Sequence, residues 1–186
     1  MSPNPIEPAD KSTRQRRIRM SLLWFTLPGT YGVLGAAYAL LPPLPGLAEP
    51  GERLVLAVRW LLVAFIPYVA VCLTILYERY AEGAHNPLLG VESERLQVHC
   101  RVMQNTLEQL VWFAFCILPL ATLLSAREVR LIPLLCVFFA LARFVYWWGY
   151  LRGDTLGRAP GVQFTFLLNI WLLALLLVQF ARSLLA

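Results

Sequence analysis

Five apolar runs, each about 20 residues long, are separated by short stretches that collect most of the charge, and this spacing constrains the chain more than any other feature. The runs extend from Met20 to Pro42, Leu54 to Tyr77, Met103 to Ser125, Arg130 to Leu151 and Gly161 to Phe180. Each matches the length of helix that crosses a hydrocarbon core. Hydrophobic residues make up 59% of the 186 positions, more than a soluble domain of this size has interior to bury. A transmembrane barrel would need short alternating segments, and the sequence has none. The expected fold is therefore all-α, a polytopic transmembrane helix bundle. Its expected parts are a basic segment over 1–19, a first transmembrane helix over 20–45 and four further helices over 54–186. Pro28, Pro67 and Pro119 fall inside these spans and are expected to kink them.

The formal net charge of +5 rests on arginine, with Lys11 the only lysine. Lys11, Arg14, Arg16, Arg17 and Arg19 directly precede the first apolar run. Basic residues abutting a hydrophobic helix set topology, so no nucleic-acid partner is expected and membrane lipids are. The positive-inside rule puts the N-terminus in the cytoplasm, together with the Arg79–Arg101 loop and the Arg152–Arg158 loop. Five spans then leave the C-terminus on the opposite side. Asn86-Pro87 and Gly90 mark turns in the larger loop. The first run is too long for a cleavable signal, and no small-residue cleavage site follows it. No internal repeat is visible, which argues against a duplicated transporter.

Cys72, Cys100, Cys116 and Cys136 lack paired spacing and read as small buried hydrophobes. His85 and His99 have no carboxylate or thiol at metal-ligand spacing, so a loop or surface role is expected and no metal site. Arg59 is expected to face the bundle or to snorkel from its helix start. The six tryptophans read as interface anchors or packing residues.

Polar groups inside a membrane span are costly, and two sets stand out. Arg101, Asn105 and Glu108 are spaced i, i+4, i+7 on the third predicted helix, within an arc of about 60°. Arg143, Tyr146 and Tyr150 form a second stripe at i, i+3, i+7 near the end of the fourth, and Arg158 follows in the next short loop. Under the topology above, both stripes lie at one depth in the cytoplasmic half. They outline a pocket with surplus positive charge, suited to an anionic ligand. The bland reading is a Glu108–Arg143 pair between helices, with the tyrosines in an interfacial belt.

The stretch from Glu94-Arg95 through Arg101-x-x-x-Asn105-x-x-Glu108 resembles a signature of the MAPEG superfamily, the membrane-associated proteins of eicosanoid and glutathione metabolism. Arg143-x-x-Tyr146-x-x-x-Tyr150, followed by Arg158-Ala159-Pro160, resembles its second signature. The resemblance runs from about Leu54 to the C-terminus. It implies a four-helix bundle in each subunit of a homotrimer, with glutathione bound between neighbouring subunits. It assigns Arg101, Asn105, Glu108, Arg143, Tyr146 and Tyr150 to glutathione binding, and Arg158 to activation of the thiol. The helix from Met20 to Pro42 is extra to that pattern and, with Asn105-Thr106-Leu107-Glu108-Gln109, is similar to the mattrin-like branch. Gln109 stands where leukotriene-synthase-like members carry tyrosine, Met103 replaces a polar residue, and Trp147 and Trp148 are bulky at the pocket. Arg158 is one residue out of register relative to some members.

Two functions follow as expectations. One is a glutathione transferase or peroxidase acting on lipophilic small-molecule electrophiles. The alternative is a non-catalytic protein of the same architecture that binds lipid or a protein partner.

Overall fold

The computed structural model describes residues 8–83 and 92–185. Every regular element among them is helical. The N-terminal region is α1 (Pro8–Ser21), a π-helical turn (Leu22–Thr26) and α2 (Leu27–Leu40). The rest is α3 (Pro50–Glu82), α4 (Glu94–Leu123) and α5 (Leu131–Leu185). The Asn86-Pro87 and Gly90 turns and His85 lie outside the described residues.

Although α5 is helical throughout, it is two antiparallel limbs. In a straight helix Gly149 and Gly157 would be about 12 Å apart along the axis, yet a Cβ on either would strike the other's backbone. Likewise, a Cβ on Gly161 would strike the backbone of Tyr146. The three glycines let the limbs meet without intervening side chains, as small residues do between membrane helices.

Four helical stretches are long and apolar enough to cross a membrane: Pro50–Glu82, Glu94–Leu123, Leu131–Arg152 and Gly157–Leu185. They correspond to the last four expected spans, extended at most ends. The first expected span is not among them, because the π-helical turn divides its apolar run and leaves α2 with 14 residues. At 1.5 Å per residue α2 covers about 21 Å, against a core about 30 Å thick.

The helices start and stop where their end chemistry directs. Glu49 and Glu52 form a reciprocal cap before α3. The Ser93 hydroxyl accepts the Leu96 N–H at 3.1 Å and donates to Glu82 at 2.6 Å, so one residue caps α4 and ties it to the end of α3. In the short turn before α5, the Glu128 carboxylate accepts the hydroxyl and the N–H of Ser125. Those bonds hold its carboxyl below the usual range.

Ala57, Ala64, Val71 and Glu78 recur every seven residues along the buried seam of α3, while the rest of that helix is largely exposed. The main core joins Phe113, Ile117 and Leu120 of α4 to Ile132, Leu135 and Phe139 of the first α5 limb and to Leu168 and Leu172 of the second. The Phe113 and Phe139 rings stack at 4.6 Å. Lipid is as apolar as this core, so close packing and internal hydrogen bonds must hold the helices together.

Candidate functional site

Arg143 is the hub of the polar end of the bundle. It is 1% exposed and lies where α4 meets both limbs of α5. Its Nη2 donates to Asn105 Oδ1 at 3.0 Å and to Thr106 Oγ1 at 2.9 Å. Nε also reaches Thr106 at 3.2 Å, and Nη1 reaches Thr165 Oγ1 at 3.2 Å. The guanidinium lies over the Tyr146 ring at 4.2 Å. A buried cation is thus held by neutral oxygens and a ring face, and the Glu108–Arg143 pair is not formed. Glu108 instead accepts from Gln104, one turn earlier on its own helix, at 3.0 Å.

The two stripes point in different directions. Arg143, Tyr146 and Tyr150 turn into the subunit and are buried. Arg101, Gln104 and Glu108 are exposed, and Asn105 sits half-buried at the boundary. Spacing on a helix places residues on one face but leaves open what that face meets. Arg101 lies beside the Tyr150 side chain.

Arg158 is in the first turn of the second limb, helical where a loop was expected. Its guanidinium stacks over Tyr150 at 4.7 Å, and the Tyr146 and Tyr150 rings are 5.9 Å apart. Asn105, Tyr146 and Arg158 share one cavity of about 300 Å³, lined also by Ala159, Val162, Gln163 and Ile18 of the N-terminal helix. Among the described residues the lining has one cation, Arg158, and no carboxylate, which suits an anionic group.

Sequence reasoning missed a second polar cluster. His99 is 1% exposed, not on a loop or surface, because α4 begins at Glu94 and carries His99 into the bundle. Trp147 Nε1 donates to His99 Nδ1 at 2.9 Å, leaving Nε2 to face Glu78 Oε1 at 3.3 Å. Arg95 closes the cluster on the same carboxylate oxygen at 2.9 Å. His99 and Glu78 are 21 positions apart with no motif linking them, so only the packing of α3 on α4 reveals the pair. Replacing either partner strands a buried polar group. A double-mutant cycle with Glu78→Ala and His99→Ala, read by thermal unfolding in detergent, is expected to give about 1–2 kcal/mol of coupling. Additive effects would show that the contact contributes nothing.

Two other departures bear on the site. Gln109, at the position of a family tyrosine, turns inward, and its side-chain oxygen accepts from Asn169 at 3.0 Å. Arg59 is exposed, as expected of a side chain snorkelling from its helix start.

The sequence profile of the MAPEG family matches residues 57–178. Transmembrane protein 79 of Mus musculus is 30% identical over 136 residues, 73% of this chain and 34% of the relative. Its counterpart in Bos taurus is 29% identical over the same shares. The chain thus spans about a third of the length of these curated relatives. No solved structure matches.

Proposed function

The chain belongs to the MAPEG family, and from that premise we propose that it is a homotrimeric membrane protein with a glutathione-type pocket on its cytoplasmic side, active as a transferase or peroxidase on lipophilic electrophiles. The observation that carries the reading is the cavity shared by Asn105, Tyr146 and Arg158, with a guanidinium and a tyrosine on its wall. The proposed topology keeps the N-terminus in the cytoplasm and the C-terminus on the opposite side, which requires the N-terminal apolar segment to cross as well.

The exposed stripe of Arg101, Gln104 and Glu108 supports the trimer. Facing lipid, such groups would each cost several kcal/mol, about 2.5–3.5 for a charge at the helix centre. A neighbouring subunit gives them a polar partner surface. Arg101 then holds a ligand carboxylate and Glu108 its ammonium, across the subunit boundary. Asn105 supplies an amide from the boundary of the same helix face, and Arg143 fixes Asn105 and Tyr146 in place.

When bound, glutathione supplies a thiol nucleophile. Arg158 sets a positive charge at the pocket and favours the ionised form of an acid beside it. The Tyr146 and Tyr150 hydroxyls offer hydrogen bonds nearby, and the tryptophan-rich groove of Phe144, Trp147 and Trp148 offers an apolar approach from the lipid side.

A non-catalytic protein that binds lipid or a partner is the second reading. The inward turn of Gln109 favours it, since that side chain is committed to Asn169. Calorimetry of glutathione on the purified protein separates the two. The transferase reading expects saturable binding near one molecule per subunit, on an assembly three times the 21.1 kDa chain mass. A monomer that takes up no glutathione would refute it.

A further inference from the structure

The N-terminal helix, extra to the four-helix bundle, is fastened to the candidate pocket through Gln163. Gln163, on the pocket wall, donates from Nε2 to the Ile18 carbonyl at 2.9 Å. Its Oε1 accepts from the Thr26 hydroxyl at 2.7 Å, and the Ser21 hydroxyl lies at 3.4 Å from the same oxygen. One amide therefore reaches both sides of the π-helical turn. That turn shifts the backbone register, with the Leu27 N–H bonded to the Leu22 carbonyl five residues back. Turns of this kind recur at functional sites. Thr26 is fully buried at the contact, while Arg16, Arg17 and Arg19 beside Ile18 are exposed.

Below this latch, the chain rests on the second α5 limb through apolar contacts, Phe25 of the π-helical turn against Phe164 at 5.9 Å and Gly29 of α2 beside the same ring. Above it, Ile18 forms part of the wall of the cavity that contains Asn105, Tyr146 and Arg158. The contact of Gly29 with the Phe164 ring does not use the Gln163 side chain, so the seat of α2 is separate from the latch.

We propose that α1 is an intramolecular gate on this pocket, latched by Gln163. Closed, Ile18 forms a wall and excludes a ligand larger than the cavity. Open, the Asn105, Tyr146 and Arg158 surface is uncovered, and the exposed arginines flanking Ile18 line the approach and favour an anionic ligand. The proposal rests on the reading of this cavity as a ligand pocket, and its test has one arm that needs no ligand.

The reporter is Ile18→Cys in the full chain, which leaves the Ile18 backbone carbonyl and hence the latch in place. A water-soluble maleimide is applied, and site-resolved mass spectrometry separates the introduced thiol from Cys72, Cys100, Cys116 and Cys136. With Gln163 present the thiol should react slowly. Adding Gln163→Leu should speed it about tenfold, because the latch hydrogen bonds are gone. Thr26→Val removes one of those bonds and should speed it about threefold, so it carries the test if Gln163→Leu does not fold. Equal rates across these variants, or a wild-type latch that already allows the rate of a free peptide thiol, overturn the gate. In the second arm, glutathione should bind faster to Gln163→Leu than to wild type. Faster labelling in a protein that takes up no glutathione upholds the gate and removes only that ligand.

Discussion

Replacing Arg158 with alanine is expected to raise the pKa of the bound glutathione thiol by about one to two units and to slow thiol transfer about tenfold or more, leaving most of the glutathione affinity in place. A free thiol titrates near 8.5 and is mostly protonated at neutral pH. A guanidinium at the pocket favours the thiolate, and its loss moves the titration back toward the free value. The expected sign follows directly: under the proposed mechanism wild type should hold more thiolate at neutral pH, and Arg158→Ala should reach the same fraction only at higher pH. Arg158 also stacks on Tyr150, so Arg158→Lys is the useful companion. It keeps the charge but gives up the planar stack and should recover part of the shift. Arg101→Ala and Glu108→Ala should behave differently, weakening glutathione binding with little effect on thiol pKa, since the proposed roles of these residues are at the charged ends of the ligand. The measurement is thiolate absorbance of bound glutathione against pH. Superimposable curves for wild type and Arg158→Ala would remove Arg158 from the mechanism.

Arg143→Ala should be the most damaging single substitution at the polar end of the bundle, costing about 3–5 kcal/mol of stability. The side chain is 1% exposed and bonds Asn105, Thr106 and Thr165. Truncation leaves a cavity and deprives three oxygens of a donor. Thr165 is partly spared, because its hydroxyl also donates to the Gly161 carbonyl at 2.7 Å. Asn105 Oδ1 has its bond from Arg143 alone among the described residues, so its amide should lose its fixed position at the pocket edge. Arg143→Lys keeps the charge but cannot span three partners with one ammonium, and should fall between alanine and wild type. In mild detergent, unfolding of Arg143→Ala is expected about 10 °C below wild type, while Leu76→Ala on the exposed face of α3 should shift it little. A melting temperature for Arg143→Ala matching that of Leu76→Ala would show that the hub holds nothing together.

Some of this site was legible in the sequence. Arg101, Asn105 and Glu108 on one helix and Arg143, Tyr146 and Tyr150 on the next were expected at one depth, with Arg158 in the loop that follows. Asn105 lies about 16 Å from the start of α4, and Arg143 about 13 Å from the end of its limb, counted at the helical rise. The outward direction of Glu108 was not legible. Its i+7 relation to Arg101 is the same whether the face meets a helix, a neighbouring subunit or lipid. Thr106 and Thr165 gave no signal either, since threonines in membrane helices ordinarily bond to their own backbone. Gln163 was equally silent, because its partners are 137 and 145 positions away.

Apolar run length and arginine placement, read from the sequence alone, determined a helical membrane protein with its polar residues gathered toward one end. These properties follow from local rules: the thickness of a bilayer, the rise of a helix and the cost of a charge in hydrocarbon. Tertiary structure decided what each polar group meets. It turned Arg143 inward among neutral oxygens, left Glu108 on the outer face, drew His99 against Glu78, and set the N-terminal helix over the pocket. It also decided that the first apolar run breaks at a π-helical turn and that Gly149, Gly157 and Gly161 let α5 double back. Helix periodicity specifies a direction around one axis. The contacts depend on how several axes pack, and that is set by side chains far apart in the chain.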